Sequence, residues 1–175
     1  ATPAAVAAFV RRGHKVLFES GCGAGSGFAD AQYEAAGGAP TPRAELYRGC
    51  DMLYKVKEIE ESEYGLLRAD QIVFAYLHSN AHPDMTRVLL ERGVTGLAYE
   101  DIDDENGEFP LLSPMSVLAG KGGFLAALYF SQSVHGGNGV LLNRIAGIPT
   151  PEVTIIGCGF SGVGAAELAS AFGNK

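Results

Sequence analysis

The sequence contains few cysteines and no pairing of them that is typical of a metal site. Cys22, Cys50 and Cys158 are widely spaced and odd in number, and no C-x-x-C pair is present. This pattern argues against both a zinc site and a disulfide framework. We therefore predict three small buried thiols and no bound metal.

Long apolar runs and an excess of positive charge are also lacking. Every apolar stretch is broken by glycine or charge before the roughly 18 to 20 residues that a membrane span requires, and no basic, apolar leader opens the chain. Thirteen Lys and Arg face twenty Asp and Glu, giving a net charge of −7, which disfavours nucleic acid and anionic membranes as partners. We expect a cytoplasmic protein that binds a small soluble molecule, and a fragment of a longer chain.

Glycine, by contrast, is abundant, with 24 residues in several clusters. The cluster at 21–27 follows a short strand pattern but lacks a glycine at the third position of a dinucleotide fingerprint, so we interpret it as a turn. The cluster at 157–162 follows the apolar run 153–156, predicted to be a parallel strand, and precedes a predicted helix at 164–171. Gly157, Gly159 and Gly162 then suit a tight turn, close approach to a pyrophosphate and helix packing, which predicts a dinucleotide site.

Short helical and strand-like patterns alternate along the chain, which is typical of an α/β fold with a parallel sheet. We predict a Rossmann-like N-terminal domain over residues 1–112 that carries the substrate and catalytic groups. A nearly uncharged connecting helix follows over 113–135, and residues 136–175 begin a dinucleotide-binding Rossmann domain.

Two ionisable residues close the apolar runs 52–56 and 72–77. Lys57 ends the first run and His78 ends the second, so two neighbouring parallel strands would bring both to the carboxyl edge of one sheet, where open α/β sheets bind ligands. Lysine can bind a carboxylate or carbonyl oxygen, and histidine can exchange a proton near neutral pH. Purely structural roles are the alternatives: Lys55 or Lys57 could be an edge lysine that discourages strand pairing, and His78 could be an interior histidine.

Several motifs together resemble the alanine dehydrogenase and NAD(P) transhydrogenase alpha-subunit family, in its N-terminal portion. Two of them look more like the alanine dehydrogenase branch than the proton-translocating branch. The segments that carry the resemblance are RRGHKV (11–16), GAGSGFAD (23–30), KVKE (55–58), YLH (76–78), VTGLAYE (94–100), PLLSPMS (110–116), LAG (118–120) and GCGFSG (157–162), of which KVKE and YLH indicate the branch.

This resemblance implies an NAD-dependent oxidative deamination of L-alanine, or a related small L-amino acid, by a hexamer. It assigns Lys57 to substrate binding, His78 to acid-base catalysis, Met115 to the substrate pocket and Ser116 to the nucleotide. Two other functions stay open from the sequence. One is a transhydrogenase-like component that binds NAD(H), and the other is a non-catalytic nucleotide-binding module.

Overall fold

The computed structural model describes all 175 residues and divides them into two compact units, residues 1–101 and 102–175. The N-terminal unit alternates helices and strands, and the second unit consists of helices and loops. The helices are α1 (Pro3–Arg11), α2 (Asp30–Ala35), α3 (Arg43–Gly49), α4 (Pro83–Glu91), α5 (Leu112–Ser131) and α6 (Phe160–Ala171), and the strands are β1 (Leu17–Phe18), β2 (Ala39–Pro40), β3 (Met52–Tyr54), β4 (Ile72–Ala75) and β5 (Thr95–Ala98).

The first helix shows how local sequence sets the element boundaries. The hydroxyl of Thr2 accepts a hydrogen bond from the backbone amide of Ala5 at 3.2 Å, and Pro3 occupies the first turn, where its missing N–H costs nothing. Gly13 follows the helix with φ of +87°, a conformation that favours glycine, and ends it.

The strands form two parallel sheets, as the alternating pattern predicts. In the larger sheet β4 lies between β3 and β5, with Leu53 paired to Val73 and Val73 paired to Gly96. The smaller sheet pairs β1 with β2. The α/β class is therefore confirmed, although β3 and β4 stop short of the predicted ends at residues 56 and 77.

The core of the N-terminal unit packs around β4, whose Val73 and Ala75 are fully buried. The two buried polar side chains of this unit, Glu63 and Gln71, are hydrogen-bonded. The side-chain amide of Gln71 donates to the carbonyl oxygens of Tyr47 and Cys50, at 2.9 and 3.0 Å. These bonds satisfy a polar side chain that would otherwise destabilise the fold. The apolar members of the cluster are Tyr47, Leu53, Ile59, Leu67, Val73, Ala75, Leu77, Met85 and Leu89.

The second unit is organised by the contact between α5 and α6. A Cβ atom on Gly120 would lie 1.8 Å from the carbonyl oxygen of Ser161, so the two backbones meet at a distance that only glycine permits. An ion pair of 3.0 Å between Lys121 and Glu167 lies beside this crossing. No helix in the structure combines the length and the apolar character that crossing a membrane would require.

Three expectations from the sequence need correction. Residues 153–156 pair with no other strand within these 175 residues, and Ile156 is 98% exposed. The helix expected at 164–171 begins earlier, at Phe160, so the last residues of the glycine motif are already helical. Cys22 and Cys158 are exposed because both lie in glycine-rich loops, and Cys50 is half-buried.

Helix α5 also differs from expectation in its surroundings. Its apolar composition on every side predicts a covered helix, but only Gly120 and Phe124 are buried. Leu118 is 67% exposed and Phe130 65% exposed. The apolar surface of α5 therefore remains largely uncovered by the rest of these 175 residues.

Candidate active site at the ends of three parallel strands

The three strands of the larger sheet end side by side, and each is followed by an ionisable residue. Lys57 follows β3, His78 follows β4 and Glu100 follows β5. Because the pairing is parallel and in register through Phe74, all three residues emerge at the same edge. The predicted convergence of Lys57 and His78 is thus present in the fold, and Glu100 is an addition that the sequence interpretation did not identify.

The two lysines of the KVKE segment have different surroundings. The ammonium of Lys55 lies 2.6 Å from the buried carboxylate of Glu63, which also accepts a hydrogen bond from the hydroxyl of Tyr47. Lys57 is exposed, and its ammonium forms no hydrogen bond or ion pair. Lys55 is therefore tied into the core, while Lys57 is free to contact an anionic ligand.

His78 lies at a sharp turn of the backbone immediately after β4. Its φ is +45°, in the left-handed region, and its side chain is 37% exposed. The imidazole stacks on the ring of Tyr76, with centroids 6.0 Å apart and planes inclined by 13°. His78 is consequently not an interior histidine, because its side chain reaches solvent while its ring lies beside that of Tyr76.

Glu100 holds the turn that carries His78. Its carboxylate accepts hydrogen bonds from the backbone amides of Leu77, at 3.1 Å, and His78, at 2.5 Å. The same carboxylate lies 3.9 Å from Nδ1 of His78. A single side chain thus contacts both the backbone and the ring of the histidine.

A second carboxylate and histidine adjoin this edge. Nε2 of His82 lies 3.5 Å from Oε1 of Glu58, and the other carboxylate oxygen of Glu58 is buried without a hydrogen-bond partner. The pKa of Glu58 is lowered, first by a hydrogen bond from its own backbone amide and then by the nearby His82, Lys57 and His78, while burial acts in the opposite direction. His82 thus faces an acidic side chain at this edge of the sheet.

Glu58 and Glu100 could have been found from the sequence with the criterion that selected Lys57 and His78. Glu100 follows the next strand pattern, 94–99, and Glu58 directly follows Lys57. The third parallel strand, β5, also ends at this edge of the sheet, so the residue that follows it, Glu100, lies there as well.

The glycine motif in the second unit fits the phosphates of a dinucleotide. Gly157 has φ of +106°, which permits the tight turn, and Gly159 is the N-cap of α6 with open space where a Cβ would lie. A Cβ on Gly162 would approach the carbonyl oxygen of Gly157 to 2.1 Å, so the loop closes onto the first turn of the helix. The partial positive charge of a helix N-terminus favours a phosphate at such a loop.

Met115 and Ser116 belong to the same unit as this glycine motif. Both are half-buried in the first turns of α5, and the carbonyl of Ser116 accepts a hydrogen bond of 3.0 Å from the hydroxyl of Ser161. The predicted site residues are therefore divided, with Lys57 and His78 in the N-terminal unit and the others in the second.

Comparisons with known proteins identify the family of this chain. The model of the alanine dehydrogenase/PNT N-terminal domain matches residues 1–119, and that of the C-terminal domain of the same family matches residues 124–175. An alanine dehydrogenase from Methanococcus maripaludis is 41% identical over 175 residues, covering 99% of this chain and 47% of the relative. One from Mycobacterium tuberculosis is also 41% identical, over 173 residues, with 98% and 47% covered.

Solved structures give the same result for the fold. An L-alanine dehydrogenase superposes with a TM-score of 0.89 at 37% identity, covering 99% of this chain and 48% of the other. A transhydrogenase from Sinorhizobium meliloti superposes with a TM-score of 0.81 at 22% identity, covering 99% and 52%, and shares the fold. The chain spans about half the length of the curated relatives it matches.

Proposed function

The chain belongs to the alanine dehydrogenase/PNT family, and on that premise we propose that the complete protein is an NAD-dependent amino-acid dehydrogenase. Its substrate is L-alanine or a related small L-amino acid. The amino acid, NAD⁺ and water give the 2-oxo acid, ammonium, NADH and a proton. The observation that carries this proposal is the delivery of Lys57 and His78 to one edge of a parallel sheet.

Lys57 is the residue that we assign to substrate binding. Its ammonium is exposed and unpaired, so no existing ion pair has to break before it contacts the carboxylate or oxo group of the substrate. A compact positive charge on a flexible stem suits an oxygen anion of this kind. Lys55 cannot take this role without leaving the buried carboxylate of Glu63 without its counter-charge.

His78 is the residue that we assign to proton transfer. Deamination requires a group that accepts and returns a proton near neutral pH, and imidazole is the side chain best suited to that task. The stacking of the ring on Tyr76 limits its orientations, while the exposed part of the side chain leaves a route to the substrate.

NAD, when bound, accepts the hydride. We assign its pyrophosphate to the loop that contains Gly157, Gly159 and Gly162, where backbone amides at the start of α6 are available. Ser116 would contact the nucleotide, and Met115 would line the substrate pocket. The finer assignments of a hexamer and a cytoplasmic location follow from the family resemblance and belong to the same proposal.

Turnover measurements on the complete protein test this proposal. With L-alanine, related L-amino acids and the matching 2-oxo acids, Lys57→Gln and His78→Asn should each lower kcat/KM by about 100-fold or more, the scale of a lost acid-base or charged contact. Binding of NADH, followed by its fluorescence, should be unchanged because both residues belong to the N-terminal unit and the glycine loop does not.

Matched controls are available close by. Lys15→Gln and His14→Asn make the same chemical changes at exposed positions and should leave turnover intact. Full turnover in Lys57→Gln and His78→Asn would contradict the assignments. Binding of NADH without turnover of any amino or oxo acid would contradict the dehydrogenase proposal and favour a transhydrogenase-like or non-catalytic nucleotide-binding role.

A further inference from the structure

The contacts of Glu100 have no explanation in strand pairing or core packing alone. Its carboxylate lies at the carboxyl edge of the sheet, beyond β5, and reaches across to the neighbouring chain segment after β4. There it accepts the amides of two successive residues, Leu77 and His78. Two adjacent amides that point at one carboxylate require a turned backbone, since successive amides of a strand point in opposite directions.

That turned backbone is the unusual conformation of His78. A non-glycine residue with positive φ is uncommon and energetically unfavourable, so it persists only where surrounding contacts hold it. The two hydrogen bonds from the backbone amides to Glu100 stabilise this conformation, because charge-assisted hydrogen bonds are about twice as strong as neutral ones. The carbonyl of His78 is held as well, accepting the amides of Ala81 and His82 at 2.8 and 3.2 Å.

The ring of His78 is constrained from two directions. The ring of Tyr76 lies nearly parallel to the imidazole with centroids 6.0 Å apart, and the carboxylate of Glu100 lies 3.9 Å from Nδ1. This separation is too long for a direct hydrogen bond but places negative charge beside that nitrogen. Nε2 is then the nitrogen that remains available to exchange a proton with a substrate.

We propose that Glu100 is a positioning residue for His78: through the amides of Leu77 and His78 it fixes the turn that presents the imidazole for proton transfer. The proposal rests on the function assigned to His78 above. Glu100 itself does not need to touch the substrate, and its effect should be lost when the imidazole is absent.

Kinetics on the complete protein test this dependence. Glu100→Ala should lower kcat by about 10- to 100-fold with little change in KM, since misplacement of a catalytic group costs on this scale. Glu100→Gln keeps a carbonyl oxygen that can accept both amides, and should retain most of the activity. In a His78→Asn background, Glu100→Ala should cause no further loss. Asp101→Ala, at an exposed acid next in sequence, is the matched control and should be neutral.

A measurement without turnover separates the two proposals. Amide hydrogen exchange at residues 77 and 78 should become faster in Glu100→Ala and stay slow in Glu100→Gln. If Glu100→Ala does not fold, Glu100→Asp replaces it, since the carboxylate is then one methylene too short to reach the amides.

The outcomes are distinct. Unchanged kcat and unchanged exchange in the folded Ala or Asp variant would overturn the role of Glu100 while leaving the dehydrogenase proposal intact. An additive loss in the double variant would also overturn it, because Glu100 would then act independently of His78. A wild-type protein with no turnover would overturn the dehydrogenase proposal, and exchange would still decide whether Glu100 holds the turn.

Discussion

Replacing Glu63 with glutamine should destabilise the N-terminal unit, although Glu63 is not one of the residues of the proposed active site. Glu63 is only 6% exposed and accepts three hydrogen bonds, from the hydroxyl of Tyr47 at 2.7 Å, the ammonium of Lys55 at 2.6 Å and the amide of Glu60 at 2.7 Å. Glutamine has one acceptor oxygen, so at least one buried donor loses its partner, and the ammonium of Lys55 loses its counter-charge. Such losses predict a decrease of about 3 kcal/mol in the free energy of unfolding at pH 7.

The pH dependence of this effect follows from the direction of the pKa shift. Burial raises the pKa of Glu63, but the hydrogen bonds from Lys55, Glu60 and Tyr47 outweigh it, and the net pKa lies below the ordinary value. A carboxylate with a lowered pKa in the folded state stabilises the fold above its unfolded pKa and loses that contribution as the pH falls through the folded value. The stability difference between wild type and Glu63→Gln should therefore narrow in acid.

Urea unfolding of the complete protein at pH 7 and at a series of lower pH values measures both effects. Glu61→Gln is the matched control, because it makes the same change at an exposed position of the short 3-10 helix Glu61–Leu66, which also contains Glu63. It should alter stability by no more than about 0.5 kcal/mol. Equal stability of Glu63→Gln and wild type at pH 7 would refute the reasoning, as would a difference that stays constant in acid.

Two glycine substitutions give further tests. Gly120→Ala should lower the melting temperature strongly because its methyl group would overlap the carbonyl of Ser161. Gly122→Ala, two residues along α5 with open space around it, should raise stability by roughly 0.5 to 1 kcal/mol. A similar melting temperature for both variants would contradict the close crossing of α5 and α6. Gly159→Ala should leave stability unchanged, because a Cβ there meets no protein atom. It should weaken NADH binding, measured by fluorescence titration, because the methyl group would occupy space at the proposed phosphate site. Unchanged affinity would contradict that site.

The alternation of patterns was sufficient to predict the α/β class and the edge at which Lys57 and His78 meet, because strand order and direction follow from short βαβ connections. Period-two alternation could not separate Lys55 from Lys57, since both lie on one face of the strand pattern. Their difference arises from Glu63, eight residues after Lys55, which lies in the short 3-10 helix Glu61–Leu66 that contacts α3 and α4.

Other features depend on contacts that no local pattern contains. The run 153–156 has the composition of a buried strand, but a strand requires a neighbour to pair with, and the second unit provides none. The positions of Glu58 and Glu100 follow from the strand pattern, but the contacts from Glu100 to His78 and from His82 to Glu58 span 22 and 24 residues of sequence. Such pairings follow from the register of the sheet and the turn after β4, and the spacing of residue types does not specify them.

The left-handed turn at His78 places two different demands on one position. The backbone favours glycine or asparagine there, which tolerate positive φ most readily, while proton transfer requires an imidazole. A variant library selected for folding alone would therefore drift toward glycine or asparagine at residue 78, and one selected for turnover would return histidine. The amino acid found at this position therefore indicates whether selection has acted on folding alone or also on turnover.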